Sequence, residues 1–208
     1  MPEVDAPPQS EAAFYFDLSS PLAYLAAEQV LHVFSNLPIP VQWQPVLAVE
    51  LGRGAERFDA FRCQDEEMAF REKVERRALE LDLQPLVWPS RFPFDSTMAM
   101  RVATYAKSIG RTVPFVQAAF RQAFAAGRAL DDFENVLIAA AACEMHPRAV
   151  SQSERLRSIG EELRQATLAA SNAGVSDVPA VRVHERVWVG EHALEDAASA
   201  MMDLTGPR

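Results

Sequence analysis

Patterns typical of β-strands lie only towards the two ends of this 208-residue chain, and this constrains its fold more than any other feature. Ala13 to Asp17 is a short aromatic strand pattern, and Pro21 to Phe34 has apolar residues at helical spacing. Ile39 to Val46 then alternates like a second strand. From about Glu50 to Ala173 the strand signals almost vanish. The first part of the chain therefore predicts a βαβ unit followed by helices.

Strand patterns return near the end of the chain. Val178 to Val183 and Val187 to Val189 predict a hairpin, and Glu191 to Met202 predicts a terminal helix. The order is βαβ, a block of helices, then ββα. Reuniting the two outer parts gives an α/β protein with a thioredoxin-like fold and a large inserted all-helical domain.

This layout predicts the domain boundaries. Residues 13–49 and 174–208 form the thioredoxin-like domain, and residues 50–173 form the inserted helical domain. Residues 1–12 are acidic and contain prolines but no apolar run, so we expect a disordered tail rather than a signal peptide. The block contains five predicted helices: Phe58–Leu83, Ser96–Ser108, Val113–Ala126, Phe133–Cys143 and Ser153–Ser171.

The composition narrows the function classes. A net charge of -9 without a Lys/Arg cluster argues against nucleic acid as a partner, and no apolar run is long enough to span a membrane. Cys63 and Cys143 are isolated, which favours two free thiols and a cytoplasmic location. The four histidines show no i, i+4 spacing, so we expect no metal site.

The first predicted helix begins with Ser20-Pro21-Leu22-Ala23. Proline suits the first helical position, and a preceding serine can cap the free amides at the positive end of the helix dipole. Thioredoxin-like proteins place Cys-x-x-Cys here to stabilise a thiolate. Ser20 is either a plain cap or a group that acts on a thiol supplied by a cofactor, for which glutathione (GSH) is the obvious choice.

Three other positions are candidates for a site. Pro179 after Val178 is either an ordinary first residue of a strand or the cis-proline that faces the active-site helix in thioredoxin-like folds. Glu191 and His192 follow Gly190 at a helix start, where free amides could bind a carboxylate of glutathione. Trp88 either walls an apolar substrate pocket or belongs to the core.

Four segments resemble the family of 2-hydroxychromene-2-carboxylate isomerases and kappa-class glutathione transferases. Phe16 to Ala26 is similar to its opening serine-proline motif, and Pro85-Leu86-Val87-Trp88-Pro89 resembles its Phe-Pro turn. Leu130 to Leu137 resembles its aspartate-bearing segment. Ala173 to Pro179 resembles its Gly-Val-x-Gly-Val-Pro stretch. The resemblance covers almost the whole chain after residue 12.

The resemblance implies a glutathione-dependent isomerase that acts on a small aromatic or electrophilic compound. Ser20 would approach the glutathione sulfur, and the backbone of Val178 before Pro179 would clamp the peptide. Glu191 and His192 stand where the family has Ser-Asp or Asn-Asp for the γ-glutamyl end, and Asp177 replaces a glycine. The alternatives are a kappa-like transferase and a thioredoxin-like protein that no longer binds glutathione. The family also implies a homodimer.

Overall fold

The computed structural model describes residues 12–35, 40–51, 61 and 63–205. Its strands are β1 (Ala12–Phe16), β2 (Val41–Pro45), β3 (Ala180–Val183) and β4 (Arg186–Val189). Its α-helices are α1 (Pro21–Val33), α2 (Gln64–Glu80), α3 (Thr97–Ser108), α4 (Thr112–Phe124), α5 (Phe133–Ala141), α6 (Pro147–Ser153), α7 (Arg157–Asn172) and α8 (Ala193–Thr205). A short 3-10 helix spans Ala48–Glu50.

The four strands form one sheet in the order β2-β1-β3-β4. β1 runs parallel to β2 and antiparallel to β3, and β3 runs antiparallel to β4. Strands from both ends of the chain therefore lie side by side, which confirms the predicted thioredoxin-like fold. The helices α2 to α7 lie between the two halves of the sheet in sequence.

Alternate residues of β1 face opposite sides of the sheet. Phe14 and Phe16 face the front, where they join the main apolar core with residues of α1, α4 and α8. Ala13 and Tyr15 face the back, where they pack in a separate cluster with Ala170 of α7. The sheet is thus covered by helices on both faces.

The carboxyl ends of β1, β2 and β4 meet at one edge of the sheet, because these three strands point the same way. β3 begins at that edge, since it runs in the opposite direction. The segments that follow β1, β2 and β4 and the segment that precedes β3 are therefore brought together. This edge is where the candidate site lies.

Several predicted helices differ from those in the structure. The predicted helix from Phe58 begins at Gln64 in the structure, and residues 58–60 and 62 lie outside the described part. The helix predicted from Phe133 to Cys143 ends at Ala141 and is exposed on one face. The short helix α6 was not among the predicted helices; it begins at Pro147, because proline is favoured at the first helical position.

Candidate functional site

Asp17 organises the segment between β1 and α1. Its carboxylate is 1% exposed and accepts three hydrogen bonds. The amide and the hydroxyl of Ser19 donate to Oδ1, each at 2.9 Å, and the amide of Ala48 donates to Oδ2 at 2.9 Å. One buried carboxylate thus ties the loop after β1 to the segment after β2. The sequence contains a signal for this turn, an aspartate two residues before a serine, but Asp17 was not among the predicted site residues.

Ser20 is the N-cap of α1, as predicted. Its Oγ accepts a hydrogen bond from the amide of Ala23 at 3.2 Å, and Pro21 is the first helical residue. Among the described residues, none accepts a hydrogen bond from the Ser20 hydroxyl. Only 1% of Ser20 is exposed, so a ligand atom can reach the hydroxyl only by sitting against the first turn of α1. The hydroxyl proton is available for such an atom.

The Val178-Pro179 peptide bond is cis, which confirms the prediction. Ala180 pairs with Tyr15, so Val178 and Pro179 lie at the edge where Asp17 to Ser20 leave β1. Within the described part of the chain, no backbone hydrogen bond involves Val178. The carbonyl of Pro179 accepts a hydrogen bond from the amide of Gly190 at 2.8 Å. The Val178 amide and carbonyl therefore have no hydrogen-bond partner among the described residues.

Glu191 and His192 lie just after Gly190, at the start of α8. Glu191 forms an ion pair with Lys73 of α2 at 3.2 Å, and its carbonyl accepts a hydrogen bond from Arg77 at 3.2 Å. Arg77 also pairs with Glu195. His192 is 57% exposed, with Nε2 3.8 Å from a Glu191 carboxylate oxygen. Lys73 thus offsets the negative charge of the Glu191 carboxylate, whereas Arg77 is ion-paired with Glu80 and Glu195.

A cavity of about 470 Å³ opens beside Ser19. Its other walls come from the segment after β2 and from the segment that leads into α3. The lining residues are Ser19, Leu47, Val49, Pro93, Phe94, Asp95, Ser96 and Thr97. The cavity combines apolar side chains with hydroxyl and carboxylate groups. It can hold a small organic molecule next to the first turn of α1.

The segment from residue 92 to 97 is the turn that reaches the site. The Phe92-Pro93 bond is a second cis bond. A literal Phe-Pro pair, Phe92-Pro93, lies three residues beyond the predicted segment Pro85 to Pro89, and Pro93 lines the cavity. The correspondence of Pro85 to Pro89 with the family's Phe-Pro turn stays a prediction.

Trp88 lies elsewhere, in an aromatic cluster. Its ring is 5.0 Å from that of Phe92 and 6.3 Å from that of Phe124, and the Arg71 guanidinium stacks 4.7 Å from its centre. Its Nε1 donates a hydrogen bond to Glu75 at 2.7 Å. Trp88 does not line the cavity at Ser19. In this structure it supports the packing of α2 and the turn at Pro93 instead.

Neither cysteine lines the cavity beside Ser19. Both are free thiols, and burial raises the pKa of Cys143. In the ranges that the structure describes, no three His, Cys, Asp or Glu residues are grouped to hold a metal ion. No helix in those ranges has the length and apolar character needed to cross a bilayer.

A profile of the DsbA-like thioredoxin domain matches residues 12–202. The chain belongs to this family. No curated protein sequence gives a significant match to it.

Several solved structures share this fold. A 2-hydroxychromene-2-carboxylate isomerase superposes with a TM-score of 0.82 at 19% identity, covering 93% of this chain and 95% of the other. A probable DsbA oxidoreductase from Streptomyces coelicolor gives 0.74 at 16% identity, covering 95% and 90%. The cytosolic disulfide reductase DsbM from Pseudomonas aeruginosa, in a structure with GSH, gives 0.62 at 12% identity, covering 93% and 98%. At these identities the similarity establishes the fold.

Proposed function

We propose that this DsbA-like protein binds glutathione and uses its thiolate to isomerise a small aromatic or electrophilic compound. Ser20 and the first turn of α1 would hold the glutathione sulfur, and the thiolate would supply a nucleophile that can add reversibly to an electrophilic carbon of the substrate and leave unchanged once the substrate has isomerised. The observation that carries the proposal is the Ser20 hydroxyl, which caps α1 as an acceptor and has no acceptor of its own among the described residues.

The start of α1 favours a thiolate for two reasons. The helix dipole places partial positive charge at its N-terminus, which lowers the pKa of a thiol bound there from about 8.5. The Ser20 hydroxyl can add a charge-assisted hydrogen bond to the sulfur. Ser20 and Ala23 occupy the two positions of Cys-x-x-Cys, so the thiol has to come from a cofactor. These features support glutathione as that cofactor.

The backbone of Val178 supports a peptide ligand. Its amide and carbonyl are free of hydrogen bonds to the described residues, and the cis bond to Pro179 holds them at the edge where α1 begins. An extended tripeptide can pair with both groups, as a strand does at a sheet edge. The cysteine of glutathione has one peptide N–H and one peptide C=O, which suit these two groups.

Charges near Glu191 support a zwitterionic end group. Lys73 pairs with the Glu191 carboxylate at 3.2 Å, so the region offers one cation and one carboxylate. The γ-glutamyl end of glutathione carries an ammonium and a carboxylate, and each sign has a partner here. Glu191 and His192 are therefore proposed as cofactor-binding residues despite differing from the family's usual pair.

Calorimetric titration with glutathione tests the proposal, with S-methylglutathione as a ligand that cannot ionise at sulfur. Wild-type protein should bind glutathione more tightly as the pH rises from below the bound thiol's pKa towards about 8.5, because the bound thiol releases its proton first. S-methylglutathione should lack this rise. Failure to bind either ligand would favour a thioredoxin-like protein that no longer uses glutathione, the alternative that Asp177 and Glu191 motivate.

Product analysis distinguishes isomerase from transferase. An isomerase returns all of the glutathione at the end of the reaction, whereas a kappa-like transferase consumes one glutathione per product.

A separate assay tests for disulfide chemistry: the purified protein should not accelerate the reduction of insulin by dithiothreitol. Turnover that disappeared on Cys63→Ala or Cys143→Ala would place the active site elsewhere.

Two further properties belong to this proposal. The free thiols of Cys63 and Cys143 accord with a cytoplasmic location. A homodimer is proposed from the family, and sedimentation at micromolar concentration tests it, a monomer mass counting against it.

A further inference from the structure

A second cleft, of about 380 Å³, lies between α7 and the back face of the sheet. Its polar lining comes from the strands: Tyr15, Gln42, Gln44 and Arg182. The opposite wall is a row of alanines on α7, at 166, 169, 170 and 173. The cleft is on the back face, opposite Phe14 and Phe16, and it is distinct from the cavity at Ser19.

The strand register builds the floor of this cleft. Ala13 pairs with Gln42 on one side and with Arg182 on the other, so the three form one row across the sheet. The small Ala13 side chain leaves space between two long polar ones. The alanines of α7 recur at i, i+3, i+4 and i+7, so they lie on one helix face. Because alanine side chains are small, they leave the space between α7 and the sheet open. The result is a slot between two flat surfaces.

Arg182 is the group in this slot that needs a ligand. Its Nε is buried and has no hydrogen-bond partner, and its guanidinium makes no ion pair within the described ranges. Tyr15 also lines the cleft, and its hydroxyl has no hydrogen bond to a described residue. A guanidinium and a hydroxyl that both lack partners in one cleft offer hydrogen-bond donors to a bound molecule.

Arg182 is the charged residue among the described residues that line the cleft, so the cleft favours an anion. Lys107 donates a hydrogen bond to the Oε1 of Gln44, and the Nε2 of Gln44 donates to the carbonyl of Pro45 at 3.1 Å. Burial lowers the pKa of Lys107, while Glu162 of α7 acts in the opposite direction. Gln44 is therefore held in place by its own contacts, and Arg182 is the cation free to bind.

We propose that the back cleft binds a small, flat organic acid, with its carboxylate on Arg182 and its ring between the sheet and the alanines of α7. A guanidinium matches a carboxylate with two parallel hydrogen bonds. The low alanine wall and the flat sheet suit a planar ring, and the Tyr15 hydroxyl provides a polar contact for a second substituent. This site is separate from the proposed glutathione site.

The probe for this site is 4-hydroxybenzoate, titrated into the full chain by calorimetry. We expect saturable binding of one molecule per chain. Arg182→Met should weaken it at least tenfold, because the methionine keeps the length of the side chain and removes its charge. Arg186→Met is the matched control, since Arg186 lies on the neighbouring strand and stacks on Trp188 outside the cleft; it should bind as wild type.

Two further measurements keep the outcome decisive. Ala169→Leu fills the slot from the helix side without touching Arg182, and it should abolish binding while the melting temperature is retained. The neutral 4-hydroxybenzamide should bind at least tenfold more weakly than the acid. Absence of saturable binding, or equal binding by Arg182→Met, would overturn the proposal. Glutathione affinity should be the same in wild type and Arg182→Met, which separates this site from the one at Ser20.

Discussion

The two faces of the sheet are built from the same strands but packed in different ways. On the front, Phe14 lies 5.1 Å from Trp43, and Phe16 lies 6.2 Å from Phe120 of α4. On the back, Ala13 and Tyr15 face the alanines of α7 and leave a cleft of about 380 Å³. Alternation along β1 sends large apolar rings to one side and a small or polar side chain to the other.

This difference separates stability from binding. The front face is filled by interlocking aromatic rings. Removing one of these rings should therefore lower the free energy of unfolding without affecting a ligand site. The back face has room and unpaired polar groups, so changes there should affect ligands more than folding. Asp17 and Ser20 lie at the edge of the sheet, where we expect a change to affect both stability and ligand binding.

The largest effect is expected on the front face. Phe120→Ala should reduce the free energy of unfolding by about 3–5 kcal/mol, because Phe120 is fully buried between Phe16, Tyr24 and Phe124. Tyr15→Phe on the back, which conserves the ring, should cost less than about 1.5 kcal/mol. Urea unfolding measures both. Equal losses would show that the two faces do not differ as described.

A smaller loss is expected for Asp17→Asn, at the edge. Asp17 uses both carboxylate oxygens, and the amide would place an NH2 group against the Ala48 amide. We expect a loss of about 1.5–3 kcal/mol in urea unfolding. Asp95→Asn is the matched control, because the bonds that Asp95 accepts from described residues all go to Oδ1, from the Thr97 amide and hydroxyl. It should cost under about 0.5 kcal/mol, since Asp95 is exposed and the side-chain oxygen of asparagine can accept the same two bonds.

The smallest effect is expected at Arg182. Arg182→Met should change the free energy of unfolding by less than about 0.5 kcal/mol, because the guanidinium has no partner to lose among the described residues. Arg77 also has a buried, unpaired Nε, but its other nitrogens bind Glu191 and Glu195. Arg77→Met should therefore cost about 1–3 kcal/mol. A similar loss at both positions in thermal unfolding would indicate that Arg182 has a structural partner.

The fold could be predicted because strand patterns at the two ends leave few ways to build one sheet. Ser20-Pro21 marks a helix start locally, whereas the cis Val178-Pro179 bond could be expected only from the position of Pro179 in the predicted fold. The α6 helix was missed because Pro147 can end one helix or begin another, and the pattern does not decide between them.

Tertiary contacts could not be predicted in the same way. Asp17 reaches Ala48, 31 residues away, and Lys73 and Arg77 meet Glu191 across a longer separation. No local pattern encodes such pairings. Trp88 shows the same limit: its context fits a pocket wall and a core position equally, and only its ring contacts place it in the aromatic cluster.

The most direct test of the central claim is the ultraviolet thiolate absorbance of bound glutathione across pH, for wild type, Ser20→Ala and Ser19→Ala. The pKa of the bound thiol should lie below about 8.5 in wild type. Ser20→Ala should raise it by about 1–2, since a hydrogen bond to a charged group is worth about 1.5–3 kcal/mol, while the lost cap costs only about 1 kcal/mol of stability. Ser19→Ala should leave the titration unchanged, because the Ser19 hydroxyl donates to Asp17. A lower melting temperature for Ser20→Ala with an unchanged thiolate titration would contradict the account and leave Ser20 as a helix cap alone.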